Sequence, residues 1–428
     1  MIGGLMKTTS QLAIAAAASL IIGGFALAPV NARAADLGGD CCADLETRVA
    51  ELEATTVRHG NRKVSMKISG WVNMALYVWD DHFGDTDPLE PFDKNSDIYI
   101  GDNSNANSRF TFSGEGKWHD DTTIGYSMQL RPRGSTTGGQ DQVDHNPSPN
   151  DIVIRSVYVY VDSKHLGKVQ LGKQDSAADG AWYQDLGGSS TWDGGYGPAN
   201  VGGAFQLRLV NGALSGVRWG NLIADNSDAQ ENRIAYFSPT MGGFQVAASW
   251  GGDDTEAIAL YYSGTHGTWN FAWGIGYDVS DKSDALGDQN VGNGLVNVAN
   301  DQLRKFATSG SIYESGSGVF VTGVYQIAFS DIDGRNDTDG FFAKLGWRKN
   351  VTGMGETGVY IEGARQEDQF ANDVAAHQFG VGAFQDIDAT GATFYIDWRR
   401  TTLEDDILTG VLETQDFDKV SVGVVQPF

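Results

Sequence analysis

The chain has 428 residues, room for two or three soluble domains or for one large all-β unit. Its 56 glycines are nearly double the usual share and its 9 prolines well below it, which excludes collagen-like repeats, while 11% aromatics argue against disorder. A mean hydropathy of −0.28 excludes a bundle of membrane helices, and a net charge of −25 argues against nucleic acid as a partner.

In chain order, the first element is Leu12 to Val30, an uncharged Ala/Gly-rich run after Lys7 that ends at the small-residue site Asn31-Ala32-Arg33-Ala34. A basic start, an apolar centre and an A-x-A site define a bacterial secretory signal peptide over 1–34, which takes the mature chain out of the cytoplasm. An uncleaved anchor is the weaker reading, because the run is barely long enough to span a bilayer. Residues 35–63 then form a short N-terminal segment. Cys41 and Cys42 are adjacent and have no other cysteine to partner them, which leaves interchain disulfides or inert thiols. Leu45, Val49, Leu52 and Thr56 follow at 4-3-4 spacing, the seam of a short coiled-coil helix. Two heptads are marginal alone, so the segment is expected to form an oligomeric stalk held by something larger.

From Val64 the period changes to two. Val64, Met66, Ile68, Gly70, Val72, Met74, Leu76 and Val78 alternate with Ser65, Lys67, Ser69 and Asn73. Similar patterns recur at 108–118, 122–132, 151–162, 168–174, 231–238, 244–250, 256–263 and 268–278. They continue at 302–314, 319–330, 340–349, 356–366, 376–387, 392–401 and 417–428, sixteen strands with the first. The connections alternate: long ones such as 80–107, 133–150 and 175–230, and short turns such as His119-Asp120-Asp121 and Ser315-Gly316-Ser317-Gly318. Up-and-down order with every long loop at one end predicts an all-β fold, a transmembrane antiparallel β-barrel over 64–428 in a bacterial outer membrane. Short turns and both termini would then be periplasmic. Such a sheet must close, because hydrocarbon offers its backbone no partners. Alternating lipid-facing and lumenal residues explain the modest hydropathy. Trp79, Trp118, Tyr236, Phe244, Trp250, Trp269, Tyr277 and Trp398 near strand ends read as interfacial girdles.

The segments KVSMKISGWVN, KHLGKVQLGKQDS and ENRIAYFSPTMGGFQVAASW, with the terminal Phe428, resemble Gram-negative general diffusion porins of the alphaproteobacterial kind over about 64–428. The resemblance implies a water-filled channel for passive diffusion of small hydrophilic solutes and ions. It also implies a homotrimer, which Cys41, Cys42, Leu45, Val49 and Leu52 would hold as a stalk. Phe428 resembles the signal read by the barrel assembly machinery, although Gln426 and Pro427 depart from its usual ending. It further implies that the third external loop folds inward to narrow the pore.

That loop is expected at 175–230, carrying Asp175, Asp179, Asp185 and Asp193. Strand parity supplies the wall opposite. Phe110 and Phe112 facing lipid turn Arg109 inward; Ile124, Tyr126, Met128 and Leu130 facing lipid turn Arg131 and Arg133 inward. Arg155 points in if Ile152, Ile154, Tyr158 and Tyr160 point out, and Lys67 and Arg399 follow the same rule. A basic wall facing an acidic loop gives a transverse field that orients dipolar solutes.

Outside the pore, DIDGRNDTDG offers Asp331, Asp333, Asp337 and Asp339 on one external loop, oxygen ligands of the kind calcium prefers, though not at EF-hand spacing. A solvated acidic loop is the plainer reading, and such loops can bridge to lipopolysaccharide through divalent ions. No cofactor is otherwise implied. Seven histidines scattered over turns and loops give no nucleophile–His–acid grouping, so an enzymatic barrel is disfavoured. A substrate-selective channel for a sugar or another small solute is the closer alternative, ahead of an adhesin.

Overall fold

The computed structural model describes residues 63–83, 96–147, 151–194, 201–225, 227, 230–252, 255–281, 302–330, 334–405 and 414–428. The period-2 runs form β1 (Lys67–Asp80), β2 (Ser96–Asp102), β3 (Arg109–His119), β4 (Thr122–Arg133), β5 (Asp151–Ser163) and β6 (Gly167–Gln174). Two short strands, β7 (Gln206–Arg208) and β8 (Leu214–Arg218), pair only with each other. The wall resumes with β9 (Glu231–Phe237), β10 (Phe244–Gly251), β11 (Glu256–His266), β12 (Trp269–Asp281) and β13 (Gln302–Glu314). It ends with β14 (Val319–Phe329), β15 (Thr338–Lys349), β16 (Thr357–Glu367), β17 (Val374–Ile387), β18 (Ala392–Asp405) and β19 (Phe417–Pro427).

Neighbouring strands are antiparallel throughout, and β1 closes on β19 from Trp71↔Pro427 to Asp80↔Asp418. Both β2 and β3 pair with β1, the first along Met74–Asp80 and the second along Lys67–Trp71. They are one stave broken at 103–108, so the barrel has the sixteen staves expected. The alternation divides its surfaces. On β14, Val319, Val321 and Tyr325 are exposed outward, while Phe320, Thr322, Val324 and Gln326 are buried inward. Long connections gather at one end, and the short turns share the other with Lys63 and Phe428.

Three sequence expectations need correction. The coiled-coil helix is the first: the described residues contain no α-helix, only three short 3-10 turns. The signal peptide and Cys41, Cys42, Leu45, Val49 and Leu52 lie outside the described residues, and a two-heptad seam is too short to specify a helix by itself. Second, β5 carries a bulge opposite Gln129 and Leu130. An extra residue reverses parity beyond it, so Val157, Val159 and Val161 are exposed outward with Ile152 and Ile154, and Tyr158 and Tyr160 turn in. Third, Trp79 is fully buried and not in a girdle. It has the inward parity of Asn73 and Tyr77, and packs with Tyr77, Tyr99, Phe205, Leu207, Trp219, Leu222, Ile223 and Phe417. Residues 201–223 thus plug part of the outer half of the lumen.

The seam where the barrel closes is tight. Gly70 and Phe428 exchange backbone hydrogen bonds (3.1 and 3.0 Å), and the Phe428 ring lies 5.5 Å from that of Phe110. A Cβ at Gly70 would collide with the Arg109 carbonyl and approach the Phe428 ring to 2.9 Å. Gly70→Val is therefore expected to destabilise the closed barrel by about 1–3 kcal/mol, seen as a lower unfolding temperature in heat-modifiability gels. An unchanged midpoint would contradict this account of the seam.

Candidate functional site

After Gln174 the chain turns into the lumen and follows the inner wall. Ala177, Ala178 and Ala181 lie flat on Ala247, Ala257, Ala259 and Ala307, small residues that let the loop approach the sheet closely. Its backbone is satisfied by lumenal hydroxyls: Ala177 N–H donates to Ser249 Oγ (3.0 Å), Gln184 N–H to Ser309 Oγ (2.9 Å) and Leu186 N–H to Ser311 Oγ (2.9 Å). Trp182 Nε1 donates to Gln326 Oε1 (3.0 Å).

Farther along, the anchors are ionic. Lys344 Nζ lies 3.1 Å from Asp193 and 3.5 Å from Asp185, and donates to Ser189 Oγ at 2.8 Å. Arg399 pairs with Asp193 and, at 2.7 Å, with Glu362. Burial alone would raise the Asp185 carboxyl. The Lys344 ammonium, the Gly187 N–H and the Thr322 hydroxyl outweigh it and hold it below the usual range. At the loop tip, Trp192 stacks on Tyr395 with ring centroids 5.1 Å apart.

The broken stave and its neighbour β1 clasp that tip. Asn105 Nδ2 donates to Ser190 O (2.7 Å), Asn103 Nδ2 to Trp192 O (3.3 Å) and Asn73 Nδ2 to Thr191 O (3.2 Å). Between the loop and the wall formed by β3, β4 and β5 lies an open cavity of about 430 Å³. Arg109, Arg131 and Arg155 line one side; Asp179, Asp185, Asp193 and Asp225 also line it. Arg109 and Arg131 stand next to the register pair Phe110↔Leu130, and the β5 bulge delivers Arg155 beside them. Asn107 fixes two of the three: its carbonyl accepts from Arg109 Nε and its Oδ1 from Arg131 Nη1, both at 3.1 Å. The Arg109 guanidinium also lies 4.4 Å from the Trp71 ring centroid.

The other expected residues are placed as follows. Asp175 forms a two-pronged pair with Arg155 (3.1 and 3.2 Å). Asp179 makes no close ion pair among the described residues; enclosure in the barrel, then the Asp175 and Asp225 carboxylates, push its carboxyl well above the usual range against the opposing pull of Arg155. Arg133 pairs with Asp151 at the end of β4, Lys67 is exposed near the short-turn end, and neither lines the cavity. Arg399 is buried behind the loop as an anchor. Of the calcium candidates, Asp331 and Asp333 lie outside the described residues; Asp337 accepts the Ser330 N–H (2.8 Å), and Asp339 sits in β15. The described residues hold no cluster of three or more metal-ligating side chains. Lys344, Glu362, Asn107 and Asp225 were not anticipated, although inward parity on β15 and β16 would have found the first two.

A closed outer-membrane sheet narrowed from within by its own loop defines a channel protein, with both ends of the barrel sequence periplasmic. The chain belongs to the Gram-negative porin family, whose profile matches residues 13–406. A search of curated proteins gave no match. Among solved structures, OmpT, an outer membrane protein of Vibrio cholerae, superposes with a TM-score of 0.54 at 15% identity, over 86% of this chain and 99% of that one. The anion-selective porin from Comamonas acidovorans gives 0.54 at 13% identity over 85% and 100%. The outer membrane channel DcaP of Acinetobacter baumannii gives 0.53 at 10% identity over 86% and 99%. At these identities the likeness is one of fold. Membership of the porin family makes the protein a porin-type transport protein.

Asp193 is the loop acid that pairs with both Lys344 and Arg399. Asp193→Ala removes the loop's link to Arg399 and one of its two links to Lys344, leaving Glu362 of the wall between the two cations, a loss of about 3–5 kcal/mol for a broken buried pair. Limited proteolysis is expected to cut within 175–230 in the variant while the barrel stays folded. Equal protection of wild type and variant would remove Asp193 as the anchor.

Proposed function

We propose that this protein is a general diffusion porin of the alphaproteobacterial kind, passing small hydrophilic solutes and ions as a homotrimer. The observation that carries the reading is the cavity beside Arg109, Arg131 and Arg155, left open by a loop whose acids line its other parts. Fixed charges of both signs across a wet gap orient polar solutes and disfavour apolar ones.

The outer wall supports self-association. From β2 to β6 its exposed large apolar residues are almost all aliphatic, among them Ile98, Ile100, Ile124, Ile152, Val159 and Leu171, with only Phe110 and Trp118 aromatic. Elsewhere the exposed face carries Tyr236, Phe244, Trp250, Trp269, Tyr277, Phe341, Phe379 and Phe394. Interfacial aromatics suit a lipid-facing wall; a wall covered by another subunit does not need them. We assign the C-terminal Phe428, exposed beside Phe110, as the residue read during barrel assembly.

The aromatic plug favours the alternative of a narrower, substrate-selective channel, and solute sizing separates the two. Liposomes carrying the protein are expected to admit neutral sugars at rates falling smoothly with size. A sharp acceptance of one sugar overturns general diffusion in favour of the selective channel, and exclusion of all sugars and salts overturns both. Replacing Arg109 and Arg131 together with Ala is expected to raise conductance and to shift zero-current potentials severalfold toward cation permeability. Unchanged potentials in a salt gradient would remove these arginines from the constriction.

A further inference from the structure

A second cavity, of about 380 Å³, lies between the start of the inward loop and the wall of β9, β10 and β11. It opens toward the short-turn end, where Thr240 and Gly243 line it. Ala235, Ala247 and Ala259 are buried inward. The period of two carries Phe237, Gln245, Tyr261 and Ser263 to the same face, with Gln245 directly opposite Tyr261. From the loop come Asp179 and Gln184, which also line the arginine cavity, so the two spaces adjoin. Among the described residues, no cation lines this second space.

Its polar groups suit a neutral solute. Asp175 is taken by Arg155, and the Asp179 carboxyl, raised by enclosure and by its acidic neighbours, carries its proton. Gln184 Nε2 donates to Gly180 O (2.9 Å) and Gln245 Nε2 to Ser238 O (3.0 Å), which leaves both amide oxygens as acceptors. The Ser263 hydroxyl adds a group that donates or accepts. Two half-buried rings complete the lining. Phe237 and Tyr261 rest against the alanines beneath the loop. Tyr261 Oη donates to Ala177 O (2.7 Å), so its ring is fixed before a solute arrives and little freedom is lost on binding.

We propose that this second cavity is a retention site for neutral sugar rings, with ring C–H groups against Phe237 and Tyr261 and hydroxyls donating to the Gln184 and Gln245 amide oxygens. The proposal rests on the porin reading and adds a stop beside the arginine cavity. An ion meets no unspent counter-charge here among the described residues. An apolar solute leaves the two amide oxygens unpaired, a penalty that a hydroxyl-bearing one avoids. An open-chain polyol has the hydroxyls but no rigid apolar face, and it gives up internal freedom to bind. Aromatic lining with a few placed polar groups, in a space of about 300–1,000 Å³, is the usual make-up of a small-molecule site. The site holds ring sugars as a class and singles out none, which is compatible with general diffusion.

The test is current block of the reconstituted full chain in planar bilayers, with glucose as the ring sugar and sorbitol as its open-chain control. Glucose is expected to half-block at a concentration about fivefold lower than sorbitol. Phe237→Leu removes a ring but keeps apolar bulk, and Gln245→Leu removes an amide oxygen. Each is expected to erase the preference in protein that remains heat-modifiable, whereas Phe237→Tyr, which keeps a ring, is expected to retain it. The wild-type comparison decides the matter even if a variant fails to fold. Equal block by glucose and sorbitol in a channel that conducts salt overturns the retention site and leaves the porin reading standing. A preference that survives both leucine variants also overturns the site. Absence of any conductance overturns the retention site and the porin reading together.

Discussion

Hydrocarbon offers no hydrogen bond to a peptide group, and the rest of the molecule follows from that constraint. Every donor and acceptor along the membrane-crossing strands has to find a neighbour within the sheet, and a finite sheet achieves this only by meeting itself. The join of β1 to β19 is the last pairing that makes this true. Once closed, the wall presents one residue in two to lipid and one in two to the lumen. A chain of modest hydropathy can then be largely apolar outside while reserving charges such as Lys344, Glu362 and Arg399 for the inside.

Inside, the problem is reversed. The loop that narrows the lumen brings its own backbone groups into a confined space, and the wall answers with side chains. Serines of β10 and β13 receive its N–H groups, and Lys344 and Arg399 converge on Asp193. Asparagines from the interrupted second stave hold its tip. The loop thus hugs one side of the barrel, and the arginines of β3 to β5 face what is left.

Much of this was legible in the sequence because strand parity is a strong rule. The stave number, the alternation of loop lengths and the inward direction of Arg109, Arg131 and Arg399 all follow from a period of two. The failures have local causes. A one-residue bulge in β5 reverses Tyr158 and Tyr160, and no propensity marks it. The run DNSNANS reads as loop, yet it is a short excursion between two halves of one stave. Residues 201–223 look like generic glycine-rich loop, but Phe205, Leu207, Trp219, Leu222 and Ile223 find apolar partners on strands distant in sequence. Arg133 and Lys67 have the right parity at the wrong height, a coordinate that periodicity does not contain. Which arginine is neutralised by which acid likewise depends on side chains meeting across a gap.

The seat of the inward loop is distributed. Its contacts lie on Ser249, Ser309, Lys344, Tyr395 and Arg399, and on Asn73 and Asn103 near the start of the barrel. The positions at the start of the barrel join the others around one loop only when the first and last strands meet, so the full set of contacts exists only on the closed barrel. Closure and restriction are thereby linked: an open curl of strands lacks the asparagine clasp of the loop tip, and the sieve is complete only in the closed barrel.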